Sequence, residues 1–328
     1  SKDWMIMQYD HEVRASTVVK PLQGKVGFRG PGDGVVIKPL LGSNRGLAIA
    51  VGVNPWFTSQ DPYNGGRSAV DEVCRNIAAV GGRPHALTDC MNFGNPEKPE
   101  RLYEFSEAVR GIGEMAKAMN LAVPSGNVSF YNETGQGPAL PTPTCLGVGI
   151  VEDVRKCVTT DLKRAQNLVY IIGDTKDEMG ASILYRRYGG KGGKVPEVDE
   201  AALSRNVDTV LAAGQAGLLK SCHDCADGGL AITLAEMCLG GDLGLHLDLS
   251  GMGDLSFETK LFSESNSRFV VEVDVARRVE FEKLAPNATY LGTVEQDKRM
   301  VLRDGRRKVD LKVPAMRRAW TDTLWRLM

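Results

Sequence analysis

A short polar segment at residues 124–133 holds the side chains of this sequence that are best suited to binding chemistry. It follows an apolar run, so we predict a loop that leaves the end of a strand. Gly126 lets a ligand approach the backbone closely, while Asn127, Ser129 and Asn132 offer oxygen atoms on short side chains. A phosphate or magnesium site needs such oxygen ligands, free N–H groups and little steric bulk. The same composition is typical of a polar turn between strands, and that alternative stays open on these residues alone.

A second polar segment begins at Asp89, near the end of a strand predicted over residues 86–91. An acidic residue at this position could hold a metal or a ribose, and the alternative is an aspartate that caps a turn. A helix predicted over 99–119 carries an apolar stripe that belongs to the core, and a strand at 121–123 follows it. In a β-α-β unit the loops after neighbouring parallel strands lie at the same edge of the sheet. We therefore expect the segments that begin at Asp89 and at Gly126 to lie at the same edge of the sheet.

Two further groups of residues could do chemistry. Asp61, Gly65 and Gly66 precede a helix predicted over 67–80, whose free N–H groups could cradle a phosphate; an ordinary glycine turn explains them equally well. His11 lies in a cluster of ionisable residues near the amino end. A lone histidine there could be catalytic but is more often structural.

Composition excludes several classes of protein. The 328 residues suggest about two domains, and a net charge of −1 gives no electrostatic case for nucleic acid or an anionic membrane. No apolar run reaches the ~18 residues of a membrane span, and the polar start predicts no secretory signal. The 7 cysteines are an odd number and lie mostly in apolar stretches, which favours reduced, cytoplasmic thiols.

Familiar catalytic motifs are not found. Cys222 and Cys225 form a C-x-x-C pair, but no second ligand pair follows at zinc-site spacing. The glycine- and lysine-rich residues 189–194 are not a P-loop, because no Ser or Thr follows Lys194. The sequence has no nucleophile elbow and no kinase signature. The polar glycine-containing segments point instead to binding of phosphorylated compounds.

Strands and helices alternate along the chain, which predicts a mixed α/β (α+β) fold. Charge rises near residues 152–161, so we predict one domain over 1–153 and a second α/β domain over 154–328. In the second domain, residues 262–268 read as a polar loop before a buried strand, and Asp304-Gly305 as the turn of a hairpin.

Five segments together resemble the carboxy-terminal half of the synthetase subunit of phosphoribosylformylglycinamidine (FGAM) synthase. In order and spacing they are Asp-Pro-Tyr-Asn-Gly-Gly at 61–66, Asp-Cys-Met-Asn-Phe-Gly-Asn-Pro-Glu-Lys-Pro-Glu at 89–100, Gly-Asn-Val-Ser-Phe-Tyr-Asn-Glu at 126–133, His-Asp-Cys-Ala-Asp-Gly-Gly-Leu at 223–230 and Leu-Phe-Ser-Glu-Ser-Asn-Ser-Arg-Phe at 261–269. Each is weak alone, but the match runs nearly end to end. The resemblance implies the aminoimidazole-ribonucleotide-synthetase-like superfamily, in which a sheet-forming pairing domain precedes a larger α/β lobe.

The resemblance also implies a reaction and its partners. It is an ATP-dependent carbon–nitrogen ligation in purine biosynthesis, in the cytoplasm, with ATP and magnesium as cofactors. The amide oxygen of formylglycinamide ribonucleotide is activated as an iminophosphate, and ammonia displaces the phosphate. The implied protein partners are the amino-terminal half of the synthetase, a glutaminase subunit and a small bridging subunit, with homodimerisation through the first domain as an alternative.

Four residues match functional positions of that family. The resemblance implies that Asp89 and Gly126 contact ATP, that Asn127 ligates magnesium, and that Ser129 contacts the substrate. Asn127 makes chemical sense because a neutral amide oxygen suits a hard cation.

One departure from the family pattern decides how the chain would work. The amino-terminal half of the family carries a proton-acceptor histidine in an Asn-His-Pro setting, and this sequence has Asn54-Pro55 without it. His11 is a weak counterpart of the other catalytic histidine, and Arg14 stands where a nucleotide-contacting tyrosine is expected. We therefore expect the chain to complete the active site of an amino-terminal half.

The pseudo-symmetric pocket of the chain itself is expected to be a silent or auxiliary nucleotide site, formed by His11, Asp61, Gly65, Gly66, Glu264 and Arg268. Two rival hypotheses remain. One is a non-catalytic scaffold subunit with structural ADP. The other is a self-sufficient homodimeric ATP-dependent enzyme of the same superfamily.

Overall fold

The computed structural model describes residues 1–190 and 192–325. The strands are β1 (Thr17–Val19), β2 (Leu22–Gln23), β3 (Gly30–Pro31), β4 (Val35–Ile37), β5 (Gly46–Gly52), β6 (Arg83–Asn92), β7 (Ala122–Ser129), β8 (Glu133–Thr134), β9 (Gly137–Pro138), β10 (Thr142–Val151), β11 (Leu168–Ile172), β12 (Leu219–Asp224), β13 (Gly244–Asp248), β14 (Phe269–Val273), β15 (Thr289–Glu295), β16 (Arg299–Asp304) and β17 (Arg307–Lys312). The α-helices are α1 (Asp3–Ile6), α2 (Pro55–Gln60), α3 (Pro62–Ala79), α4 (Pro99–Ala118), α5 (Ile183–Tyr188), α6 (Glu200–Gln215), α7 (Gly229–Gly241), α8 (Phe257–Phe262), α9 (Arg278–Leu284) and α10 (Val313–Trp325). No helix in these residues is long and apolar enough to span a membrane.

The first sheet has the strand order β1-β4-β5-β10-β6-β7 and is covered on one side by helices. Helix α3 packs on β5, β6 and β10, and α4 packs on α3. Along β10 burial alternates: Cys145 and Val151 lie under the helices, whereas Leu146 is 37% exposed on the opposite side. This alternation follows from the two-residue repeat of a strand. We call the side away from α3 and α4 the open face.

The predicted β-α-β unit is present, and its second strand is longer than expected. Strands β6 and β7 are parallel neighbours, with α4 as the crossover between them. The prediction of a loop over residues 124–133 is wrong for residues 124–129, because they continue β7, which pairs with β6. Polar side chains tolerate this position because β7 is the last strand of the sheet and residues 122–128 are exposed.

The predicted start of the first long helix is also wrong. Helix α3 begins at Pro62, and the Asp61 carboxylate caps it by accepting the backbone N–H of Asn64. Gly65 and Gly66 therefore lie inside the helix and are buried. A Cβ atom on Gly66 would lie 2.3 Å from the carbonyl oxygen of Ala108. These glycines let helices approach closely, so they offer no phosphate cradle.

Asn54 has a comparable capping role that the sequence did not reveal. Its side-chain oxygen accepts the N–H groups of Trp56 and Phe57 at the start of α2. Asn54 thus caps a helix that begins at Pro55.

The second sheet has the strand order β12-β14-β11-β15-β13-β16-β17. Strands β11 and β14 are buried along their whole length, which explains the unbroken apolar sequence of β11. In β14 only Glu272 interrupts the apolar residues. The hairpin predicted around Asp304-Gly305 is confirmed as β16 and β17. Along the chain, the last strand of the first sheet ends at Val151 and the first strand of the second sheet begins at Leu168. A domain boundary at residue 153 stays a prediction.

Candidate functional site

Asp89 and Gly126 are register partners on adjacent strands. A Cβ atom on Gly126 would lie only 2.5 Å from Asp89 Oδ2, so the carboxylate occupies the space that any side chain at position 126 would need. Partial burial raises the pKa of Asp89, and a hydrogen bond from the Asn127 backbone N–H opposes that rise. The expected closeness of the two segments is therefore confirmed at the level of residue pairs.

Asn127 and Ser129 project from the other side of the sheet. The Sγ atom of Cys90 lies 3.8 Å from Asn127 Oδ1, which places both side chains on the open face. Ser129 is the register partner of Asn92 and has the same orientation as Asn127, because it is two residues further along the strand. The four predicted residues thus form one edge of the sheet but are divided between its two faces.

The side chains on the open face are polar at one end and apolar at the other. Its polar end lies at the carboxyl ends of β6 and β7 and consists of Thr88, Cys90, Asn92, Ser125, Asn127, Ser129, Thr142 and Thr144. Its apolar end consists of Val35, Ile37, Leu47, Ile49, Val51, Leu146, Val148 and Ile150. Val51 is 46% exposed and pairs directly with Leu146. Such a contiguous apolar surface is typical of a protein interface.

Two loops beyond this edge are tied together by Asn132 and Glu133, the last two residues of the polar segment at 124–133. Asn132 donates its side-chain N–H groups to the carbonyl oxygens of Phe93 (2.9 Å) and Ser129 (2.8 Å). Glu133 accepts from Lys98 Nζ at 2.9 Å and from the backbone N–H of Asn95. These contacts hold the loops after β6 and β7 against each other.

The junction between the sheets contains a buried ionic network that the sequence did not predict. Arg75 on α3 donates to Asp71 at 2.6 Å and to Asp224 at 2.7 Å. The Nδ1 atom of His223 lies 2.6 Å from Asp33 Oδ1, and its Nε2 atom lies 3.0 Å from Glu236 Oε2. Asp224 lies 149 positions from Arg75 in the sequence, and His223 lies 190 positions from Asp33. The sequence showed His223 and Asp224 as neighbours in a matched motif, but it did not indicate that they would contact Asp33 and Arg75.

The electrostatics of this network favour a protonated histidine. Burial by itself lowers the pKa of His223, but Asp33 and Glu236 outweigh it and raise that pKa well above its ordinary value. Burial raises the pKa of Asp224 to about 7, with Arg75 opposing the rise. Asp33, His223 and Asp224 are close enough to hold a metal ion together. Their existing ion pairs with each other and with Arg75 leave little reason to expect one.

Glu264 and Asp227 line the same junction. One carboxylate oxygen of Glu264 accepts the backbone N–H groups of Ile183 and Gly228, both at 2.8 Å, and the other is buried without a protein partner. Burial, helped by Asp227, raises the pKa of Glu264 to about 7. Gly228 occupies the cap position of α7, and Asp227 accepts from the Asn54 side chain.

The other residues of the expected auxiliary pocket are dispersed. Arg268 is fully buried and donates to the carbonyl oxygens of Ser263 and Ser265, so it shapes the polar loop before β14. His11 lines a cavity of about 440 Å³ formed by residues 7–29. Among the described residues that line this cavity, none is another predicted site residue. Asp61, Gly65 and Gly66 belong to the capped start of α3.

Comparison with known proteins gives the family. Residues 31–151 match the model of the AIR synthase related protein, N-terminal domain, and residues 164–305 match that of its C-terminal domain.

Curated relatives match almost the whole chain. It is 40% identical over 337 residues to phosphoribosylformylglycinamidine synthase subunit PurL of Methanothrix thermoacetophila, covering 99% of this chain and 43% of that protein. The corresponding protein of Thermoplasma acidophilum is 38% identical over 318 residues, covering 96% and 42% respectively. The chain therefore spans less than half the length of both relatives.

Solved structures share the fold. A structure of T. maritima PurL complexed with FGAR superimposes with a TM-score of 0.75 at 19% identity, over 90% of this chain and 49% of that one. E. coli HypE, a hydrogenase maturation protein, superimposes with a TM-score of 0.63 at 16% identity, over 85% and 90%.

Proposed function

The chain belongs to the AIR synthase related protein family, and we propose that it acts as the carboxy-terminal half of an FGAM synthase. In this role it contributes to the ATP- and ammonia-dependent conversion of formylglycinamide ribonucleotide to formylglycinamidine ribonucleotide. Identities of 40% and 38% to PurL subunits, in register over nearly the whole chain, support the assignment. Because those proteins are more than twice as long, an amino-terminal half must supply the rest of the synthetase.

The arrangement of polar and apolar side chains on the open face is the observation that supports this proposal. Asn127 and Ser129 lie at its polar end on β7, whereas the apolar end lies on β4, β5 and β10. Strand β10 carries residues of both ends and so joins them across the sheet. A partner that covers the apolar end would thus reach the polar end and enclose a ligand there. The amino-terminal half fits this role because the family's proton-acceptor histidine has no counterpart at Asn54-Pro55. Pairing with a second copy of this chain is the competing arrangement.

Magnesium fits the polar end as a shared ion. Asn127 offers an exposed amide oxygen, and Ser125 and Thr88 offer hydroxyl groups nearby. Magnesium is usually held by one or two protein oxygens together with substrate phosphates and water. We propose that Asn127 is such a ligand and that carboxylate ligands come from the partner. When bound, the ion would neutralise charge on the transferred phosphate.

Asp89 and Gly126 are proposed to contact ATP at the edge of β6 and β7. The missing side chain of Gly126 leaves the Asp89 carboxylate beside open backbone, where it can accept a hydrogen bond from a sugar hydroxyl or an amino group. Ammonia would come from a glutaminase subunit, with a small bridging subunit and a cytoplasmic setting as further expectations. The junction around Glu264 and Asp227 is proposed as the auxiliary site, because it contains a buried carboxylate oxygen without a protein partner.

Reconstitution tests the proposal. The chain is mixed with the amino-terminal half of the Methanothrix thermoacetophila relative, and product formation is measured with ATP, magnesium and ammonia. We expect turnover by the pair and none by either half alone. A folded, correctly paired complex without turnover would contradict the proposal. Turnover by the isolated chain would instead favour a self-sufficient homodimer.

A further inference from the structure

The hydroxyl group of Ser129 is already committed as a donor. Its Oγ atom donates to Asn132 Oδ1 at 3.3 Å. A serine hydroxyl has one hydrogen to donate and two lone pairs that can accept. With the hydrogen engaged, only the acceptor side of the group faces outward from the open face.

The orientation of Asn132 cannot be reversed without losing hydrogen bonds. Its side-chain nitrogen lies 2.9 Å from the Phe93 carbonyl oxygen and 2.8 Å from the Ser129 carbonyl oxygen. Both of these partners can only accept, so the NH₂ group must face them and Oδ1 must face Ser129. The Asn132 backbone N–H also donates to Phe93.

The backbone holds Asn132 under the end of β7. Tyr131, which connects the two residues, has a φ of 60°, in the left-handed region that a tyrosine seldom adopts. Its N–H donates to the Gly94 carbonyl oxygen, and the Asn132 carbonyl oxygen accepts from Ala139. The surrounding loops thus maintain a strained turn that returns the chain to Ser129.

We infer that Ser129 recognises the substrate as a hydrogen-bond acceptor, and that Asn132 is the positioning residue that makes it one. The inference rests on the proposed function and names the chemistry of the substrate group that Ser129 meets. That group must carry a hydrogen: a ribose hydroxyl or an amide N–H. A phosphate oxygen does not qualify, although a serine at this position could otherwise donate to one.

Substrate analogues that each lack one donor test the inference. The reconstituted pair is titrated with formylglycinamide ribonucleotide and with its 2′-deoxy, 3′-deoxy and N-methylformyl analogues, and with one in which a methylene group replaces the ribosyl amide N–H. We expect one of the four to bind about tenfold more weakly than the parent, as for one lost hydrogen bond. The analogue that loses affinity identifies the donor.

The variants show whether Ser129 is responsible. The Ser129→Ala variant should bind that analogue as tightly as the parent substrate, so the tenfold penalty in affinity disappears. The Ser129→Thr variant keeps the hydroxyl and should show the penalty again. In Asn132→Ala the penalty should fall to less than threefold, because the hydroxyl is free to rotate, while ATP affinity stays the same. Thr134→Ala, which removes a hydroxyl from the adjacent β8–β9 hairpin, should keep the full penalty.

Two results would overturn the inference. One is that none of the four penalties depends on Ser129. The other concerns the unphosphorylated nucleoside: if loss of the phosphate costs the Ser129→Ala variant less affinity than the wild type, the hydroxyl donates to the phosphate. Failure of the proposed function looks different, because the paired wild-type chain would then neither bind nor convert the parent substrate.

Discussion

The vacant side-chain position of Gly126 lies 2.5 Å from Asp89 Oδ2, the mobile end of a side chain on the neighbouring strand. A Gly126→Ala substitution should therefore displace the carboxylate without disturbing the backbone. We expect less than about 1 kcal/mol of lost stability and at least a tenfold rise in KM for ATP in the reconstituted pair. Gly113→Ala is the matched control, since a Cβ atom there meets nothing within 4 Å. An unchanged KM would remove Asp89 and Gly126 from the nucleotide site.

Asn127 is exposed, so its replacement tests function without a folding penalty. Asn127→Ala should lower kcat at least tenfold and raise the magnesium concentration needed for half-maximal rate. Asn127→Asp, which keeps an oxygen ligand, should recover part of the rate. Magnesium titrations of the reconstituted pair measure both effects, with Lys117→Ala on the exposed face of α4 as the control. Loss of rate without any change in magnesium dependence would argue against a metal ligand, and little change in rate would favour the scaffold hypothesis.

The apolar end of the open face should bind the partner. Leu146→Asp places a charge at a position that is 37% exposed in the isolated chain. We expect the melting temperature of the chain alone to change by no more than a few degrees, and its affinity for the amino-terminal half to fall at least tenfold. Calorimetric titration of the two halves measures this. Arg155→Asp, on an exposed residue outside the sheet, should leave the affinity unchanged. If Leu146→Asp binds like the wild type, the pairing surface lies elsewhere.

His223 should make stability depend on pH. Its folded-state pKa is raised above the ordinary value, so its contribution is complete at acidic pH and is lost as pH rises through the folded-state pKa. His223→Gln leaves Asp33 and Glu236 without their cation and should cost about 3–5 kcal/mol near neutral pH. Urea unfolding across pH should show this difference shrinking under alkaline conditions. His246→Gln removes an exposed pair with Asp297 and should cost less than about 1 kcal/mol.

Glu264 should have the opposite effect on stability. Its pKa is raised to about 7, so ionisation destabilises the fold progressively as pH rises from the ordinary value of 4.5 to about 7. Glu264→Gln retains an acceptor for Ile183 and Gly228 and removes the charge. It should stabilise the chain by about 1–3 kcal/mol at pH 8 and have little effect at pH 4. Glu258→Gln is the exposed control. A destabilised Glu264→Gln chain at pH 8 would mean that a cation in solution compensates the charge.

Much of the fold could be read from residue order. The apolar stripe of α4 and the unbroken apolar run of β11 are local patterns, so they predict their elements directly. The predictions missed helix starts where a capping side chain sets the first turn. Asp61 and Asn54 accept N–H groups at the starts of α3 and α2. The glycines inside α3 look like loop residues in the sequence, and only the close packing of Gly66 against Ala108 shows why a helix contains them.

The chemistry divides in the same way. Residue types and spacing made Asp89, Gly126, Asn127 and Ser129 candidates with ordinary turns as the alternative, and the family resemblance supplied their expected roles. Residue order also predicted that their segments would meet, because parallel neighbours in a β-α-β unit share an edge. Only the tertiary structure decided on which face of the sheet each side chain lies. Strand β7 extends to Ser129, so its side chains alternate between the two faces up to that residue. It also decided the partners of His223, Arg75 and Ser129. These contacts depend on how distant segments pack, and the pairwise geometry of such contacts is not encoded in any local pattern.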